Sequence, residues 1–212
     1  MDDHDHRPLG RPGRHGGRRP RRRRPGRRAT NSDIFFQDSP TAWVRKGLGD
    51  SNAGIALFDS GSGLGSVDIV RTSPVAPYDI VWMQNPRTTG GNARTGTWAT
   101  RRIGPNYQCT SRCSLVHVAT MTTGDMNGDG RMDVVVGQGE GNVHRGVTGV
   151  RMFVAPANRA STWAERPVDP GYDFTHDLRI VDMNGNGTRD IVAAEEDQSD
   201  NRRLGVFSND GT

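Results

Sequence analysis

Two nine-residue segments of this chain share the frame D-x-N-x-[DN]-G-x-x-D. They run Asp125-Met126-Asn127-Gly128-Asp129-Gly130-Arg131-Met132-Asp133 and Asp182-Met183-Asn184-Gly185-Asn186-Gly187-Thr188-Arg189-Asp190, 57 positions apart, and each leads straight into an apolar run. Oxygen-bearing side chains at alternate places of a tight loop can converge on one point. That suits calcium, a hard cation taking about six to eight oxygens at roughly 2.3 to 2.6 Å. Asp125, Asn127 and Asp129 would give three such oxygens, with Asp182, Asn184 and Asn186 as their counterparts. Gly130 and Gly187 allow the positive φ needed to wrap an ion, after which a main-chain carbonyl at Arg131 or Thr188 and the carboxylate of Asp133 or Asp190 would close the shell.

The residues after the loop decide its type. An EF-hand requires a bidentate Glu at the twelfth place and flanking helices, but twelve from Asp125 is Val136 and twelve from Asp182 is Ala193. Instead Asp133 opens Val134-Val135-Val136 and Asp190 opens Ile191-Val192-Ala193-Ala194, short runs that read as buried strands. Asn-Gly and Asp-Gly between apolar runs are also a strong hairpin signal. A hairpin, however, needs only that pair, whereas both copies keep acidic or amide groups at the first, third, fifth and ninth places. Loop 1 carries three carboxylates and loop 2 only two, because Asn186 replaces Asp129, so weaker binding is expected at loop 2.

The similarity extends beyond the loops. His117 and His176 precede them on alternating segments, and apolar strands ending in turns follow at Tyr78–Pro86, Val150–Asn158 and Leu204–Gly211. Trp98 and Trp163 open a further strand in two of the three copies. A unit of about 57 to 66 residues with three or four short strands has the size of a propeller blade. An earlier, damaged copy spans Gly54 to Val70. It keeps the closing Asp68 but has Gly61 and Gly63 in the third and fifth places and one residue too many, so it reads as a blade hairpin without metal.

These loops, the His-bearing strand before them and the Trp82-Met83-Gln84-Asn85-Pro86 strand resemble the FG-GAP or VCBS repeats of calcium-binding β-propellers, over roughly residues 50–212. The resemblance implies an all-β fold of about three blades (near 50–105, 106–168 and 169–212) within a domain spanning 31–212. It also implies calcium ligation by Asp125, Asn127, Asp129, the Arg131 carbonyl and Asp133, and by Asp182, Asn184, Asn186, the Thr188 carbonyl and Asp190. Propellers close with four to eight blades, so three make an incomplete ring. A piece of a longer product is the favoured expectation, and several chains sharing one ring through further blades or self-association is the other.

Residues 1–30 differ in kind. They hold eleven Arg and three Asp among Gly, Pro and His, a net of +8 against +4 for the whole chain, so the rest carries about −4. Such an arm buries too little apolar surface to fold and is expected to be disordered. It has no apolar core of a secretory signal, and no stretch approaches the length of a membrane span. An Arg block can bind phosphates. Here the body is acidic, and Arg, Gly and Pro are also what GC-rich DNA yields when read from a wrong start. Nucleic acid is therefore the least favoured partner.

With 28 Gly and 12 Pro and no long helical periodicity, the remainder fits an all-β domain in which Trp43, Trp82, Trp98 and Trp163 are expected between blades. Cys109 and Cys113 could form a local disulfide but offer no zinc pattern. Candidate acid–base groups are Tyr107, His117, His144, Tyr172, His176, Glu195 and Glu196, yet no nucleophile elbow, catalytic triad or phosphate loop is legible. The sequence therefore points to a non-catalytic, calcium-stabilised module for binding or adhesion to carbohydrate or protein. The resemblance implies an extracellular setting, although no export signal is read. A fragment of a propeller-based carbohydrate-active enzyme, a polysaccharide lyase or sugar dehydratase, is the alternative.

Overall fold

The computed structural model describes residues 30–51, 54–59, 66–73, 80–104, 118–138, 149–172, 174–195 and 202–211. All of its long elements are strands. A hairpin of β1 (Thr30–Ser39) and β2 (Ala42–Ser51) comes first. Blade 1 follows with β3 (Ile55–Asp59), β4 (Val67–Thr72), β5 (Ile80–Gln84) and β6 (Ala99–Ile103). Blade 2 holds β7 (Val118–Gly124), β8 (Asp133–Gln138), β9 (Val150–Val154) and β10 (Ala164–Asp169), and blade 3 holds β11 (Thr175–Val181), β12 (Asp190–Glu195) and β13 (Leu204–Phe207). Each blade is an antiparallel meander in chain order, and no sheet closes on itself. The fold is all-β, as expected, and the array is open.

The blades stack face to face, so their central strands are apolar on both sides. On β8, Val134 and Val136 join Phe58, Val70, Ile80, Trp82 and Ile103 of blade 1, together with Phe153 and Trp163 of blade 2. Val135, one residue away and therefore on the opposite side, packs with Leu178, Ile191 and Ala193 of blade 3. This explains why Val134-Val135-Val136 is a continuous apolar run rather than an alternating one. Near the first strands, where blades come closest, small residues are required: a Cβ on Gly137 would sit 2.5 Å from Thr175 Cγ2. Phe58, tilted against Trp163 at 5.7 Å and edge-on to Trp82 at 6.0 Å, fills the seam between blades 1 and 2.

The β1–β2 hairpin was not foreseen as a unit. Its Ile34, Phe36 and Leu48 pack on Ile69, Met83 and Trp98, covering the face of blade 1 away from blade 2. Trp82, Trp98 and Trp163 lie between sheets as expected, but Trp43 does not: it is 58% exposed. The reason is its place on β2, where the side chain points away from blade 1. The expected arm at residues 1–30 falls almost wholly outside the described residues, as do Cys109, Cys113, Tyr107, His117, His144 and Glu196. No helix among the described residues is long and apolar enough to cross a membrane.

Candidate metal loops

Both loops join the first and second strands of their blades and share one conformation. Gly128 and Gly130 have φ of 74° and 78°, and Gly185 and Gly187 have 74° and 84°. These left-handed values favour glycine, and they turn successive backbone N–H groups toward the side-chain oxygens. In loop 1, Asp125 Oδ1 accepts from Gly128 N at 2.8 Å and Oδ2 from Gly130 N at 2.8 Å. In loop 2, Asp182 accepts from Gly185 N at 2.7 Å and Gly187 N at 2.9 Å. The third and fifth places repeat the pattern. Asn127 Oδ1 accepts from Asp129 N at 3.1 Å and Asp129 Oδ1 from Arg131 N at 2.9 Å. Asn184 and Asn186 do the same for Asn186 N and Thr188 N at 3.0 and 2.8 Å.

The ninth place is different. Asp133 is fully buried, and its carboxylate accepts Met126 N at 3.1 Å from the loop and Ala155 N at 2.8 Å from the end of β9. Asp190 is also fully buried and accepts Met183 N and Asn209 N, both at 2.8 Å. Blade 1 has the same arrangement although its loop lacks the middle oxygens: Asp68, again fully buried, accepts Asn85 N at 2.7 Å and Trp82 Nε1 at 2.9 Å. In all three blades this aspartate fastens the start of the second strand to the end of the third.

The two loops differ in their electrostatics. Desolvation by burial, opposed by the Ala155 and Met126 amides and added to by Asp129 and Asp125, pushes the Asp133 carboxyl above its ordinary range. The amides of Asn209 and Met183 hold Asp190 below it. In loop 1 the Arg131 guanidinium pairs with Asp129 Oδ2 and donates through Nε to Ala155 O at 3.1 Å. Loop 2 has Thr188 there instead, whose hydroxyl lies 2.6 Å from Asn186 Oδ1 and also meets the Asn209 carbonyl. Among the described residues no three His, Cys, Asp or Glu side chains gather as a metal group. Each loop mixes carboxylates with amides, and its ninth carboxylate is drawn into the sheet.

Asn209, not singled out from the sequence, ties the loops together. Its Nδ2 lies 2.7 Å from Met126 O of loop 1 and 3.2 Å from Arg189 O of loop 2, and its carbonyl accepts from Asn186 Nδ2 at 3.1 Å. Asn85 holds the same position in blade 1, its Nδ2 donating to Val67 O at 3.0 Å, and that parallel was available in the sequence. Beside Asn209, between blades 2 and 3, lies a cavity of about 300 Å³ lined by Met126, Met152, Val168, Ile191 and Phe207, with Asn127 at its rim.

Two of the candidate acid–base groups are held in hydrogen bonds within blade 3. The Tyr172 hydroxyl is buried 2.6 Å from Ala193 O and 2.8 Å from Arg203 O, and desolvation raises its pKa. Glu195 accepts from Arg203 Nε at 2.9 Å and Nη2 at 2.6 Å, and that guanidinium lies 4.6 Å over the Tyr172 ring. His176 is exposed on β11.

A search of curated proteins finds no match to the chain. The family model described as an FG-GAP-like repeat matches residues 125–193, from the first Asp of loop 1 to β12 beyond loop 2. The chain thus carries an FG-GAP-like repeat within a β-propeller-like array of blades.

Proposed function

We propose that this chain is a calcium-binding, non-catalytic propeller module that presents blade loops to a carbohydrate or protein ligand outside the cell. The supporting observation is that two loops, 57 residues apart, hold oxygen-bearing side chains at the first, third and fifth places with one backbone geometry. The donor set fits calcium: it is all oxygen, it is charged, and each carboxylate accepts at most three hydrogen bonds at its roughly four acceptor sites. Asp125, Asn127, Asp129, the Arg131 carbonyl and Asp133 would hold one ion, and Asp182, Asn184, Asn186, the Thr188 carbonyl and Asp190 the other. Bound calcium would supply positive charge where carboxylates repel, and so would stabilise the fold. Loops of this charge suit the high calcium outside cells.

Asn127 both belongs to loop 1 and borders the seam cavity, so a ligand seated there would be linked to the ion. Thermal melting of the full chain in calcium, magnesium and chelator tests the metal reading. Calcium should raise the melting temperature more than magnesium does, and equal melting in all three would refute it. Binding to a glycan array in calcium but not in chelator would identify the carbohydrate class. Retention of unrelated glycans irrespective of metal would argue against it.

A further inference from the structure

The repeats are regular enough for one position to be followed from seam to seam. On the last two strands of a blade, Val154 pairs with Ala164 and Gln84 with Ala99, so Trp163 and Trp98 stand one place beyond, opposite Ala155 and Asn85. Two residues before those partners come Phe153 and Met83. All four side chains face the preceding sheet and are buried, at 0% to 8% exposure. The β1–β2 hairpin has the same pattern: Trp43 pairs with Gln37, and two residues earlier stands Phe35. The hairpin is therefore laid out as the outer pair of strands of a blade. Its Phe35 and Trp43 point away from blade 1 and are 57% and 58% exposed.

The opposite end of the array shows the complementary surface. Phe58 precedes Asp59, Val70 lies two residues after the buried Asp68, and Trp82 lies three before Asn85. Together they cover Phe153 and Trp163 of the next blade. In blade 3 the corresponding residues are Val181 before Asp182, Val192 after Asp190 and Val206 before Asn209. Val181 is 37% and Val206 48% exposed, with Leu204 beside them at 77%.

We propose that these two faces bind each other between copies of the chain, the Phe35/Trp43 face of one seated on the Val181/Val192/Val206 face of the next. The contact repeats a seam that the chain already forms between its own blades: the second copy presents Phe35 and Trp43 where blade 2 presents Phe153 and Trp163, and they meet Val181, Val192 and Val206 where blade 1 has Phe58, Val70 and Trp82. The charged neighbours do not oppose it: Asp33 is paired with Arg45 on one face and Asp177 with Arg179 on the other. Because the two faces differ, the interface is heterologous and propagates head to tail into a ring or an open chain. It does not depend on metal.

Sedimentation velocity over a wide concentration range tests this with two full-length variants, a head variant Phe35→Ser/Trp43→Ser and a tail variant Leu204→Asp/Val206→Asp. The wild type should form concentration-dependent species of two or more copies. Each variant should be monomeric alone, and an equimolar mixture should give a heterodimer and nothing larger, since one intact head and one intact tail remain. Circular dichroism and melting of the dilute variants check folding, and if the tail variant melts early the single Leu204→Asp, at a 77% exposed site, replaces it. A wild type that stays monomeric, variants that associate as it does, or a mixture without heterodimer would each overturn the proposal.

Discussion

Replacing Asp68 with Asn separates the structural role of the ninth-place aspartate from any metal. Asp68 is fully buried, with one carboxylate oxygen 2.7 Å from Asn85 N and the other 2.9 Å from Trp82 Nε1. Asparagine keeps the shape but has one acceptor, so its NH₂ must face one of the two donors. Losing a hydrogen bond to a charged group costs about 1.5 to 3 kcal/mol, and a buried donor left unpaired costs about 1 to 3 kcal/mol. The two overlap, so the net loss should be about 3 kcal/mol, or about 6 to 12 °C in melting temperature for a domain of this size. Urea denaturation followed by tryptophan emission measures it, and Trp82 reports the lost indole partner directly. Blade 1 lacks the middle oxygens of the loop, so the loss should be the same in calcium and in chelator. A loss below about 1 kcal/mol, or one that appears only in calcium, would refute the idea that this aspartate is chiefly a fastener of strands.

Trp163 and Trp43 occupy one repeat position in opposite environments, 1% and 58% exposed. Urea melts of dilute protein should show Trp163→Ala costing about 3 to 5 kcal/mol and Trp43→Ala less than about 0.5 kcal/mol, and equal losses would contradict the assigned seams. Arg131→Gln removes the cation paired with Asp129, so calcium titration should show tighter binding at loop 1 with loop 2 unchanged; weaker binding would mean that the guanidinium supports the loop. The pH dependence should split between the loops. Asp133 titrates above its ordinary 3.8 because burial disfavours its charge, so in chelator its protonation favours the folded state as pH falls through its folded value. Asp190 titrates below 3.8, so its contribution is complete above that value and is lost as pH falls through the lower folded one. Carboxyl NMR titration in chelator reads both, and shifts of the same sign would contradict the two environments.

Much of this was legible in the chain because the D-x-N-x-[DN]-G-x-x-D frame fixes the spacing of the loop oxygens and glycines. Gly130 and Gly187 have the positive φ expected of them, Gly128 and Gly185 have it too although the frame leaves their places open, and the apolar runs after Asp133 and Asp190 are strands. The hairpin was harder to see. Its link through Pro40 and Thr41 carries no Asn-Gly pair, and a two-strand unit breaks the period of the repeat. The face on which Trp43 lies depends on which sheets flank it, and that is a property of the array rather than of local pattern. Asp133 and Asp190 read as ligands by position, and their further role as fasteners depends on Ala155 and Asn209, 22 and 19 residues downstream, which only the placement of the third strand brings to them. The retained Asp68 was the available clue, since it survives where the other loop oxygens do not.

The central claim is that two loops each hold a calcium ion, and isothermal titration of calcium into the full chain tests it most directly, with Asp125→Ala and Asp182→Ala measured separately and together. The account predicts two binding events, the tighter lost with Asp125 and the weaker with Asp182, and none in the double variant. Absence of calcium-dependent heat in the wild type, or two events that survive both substitutions, would contradict it.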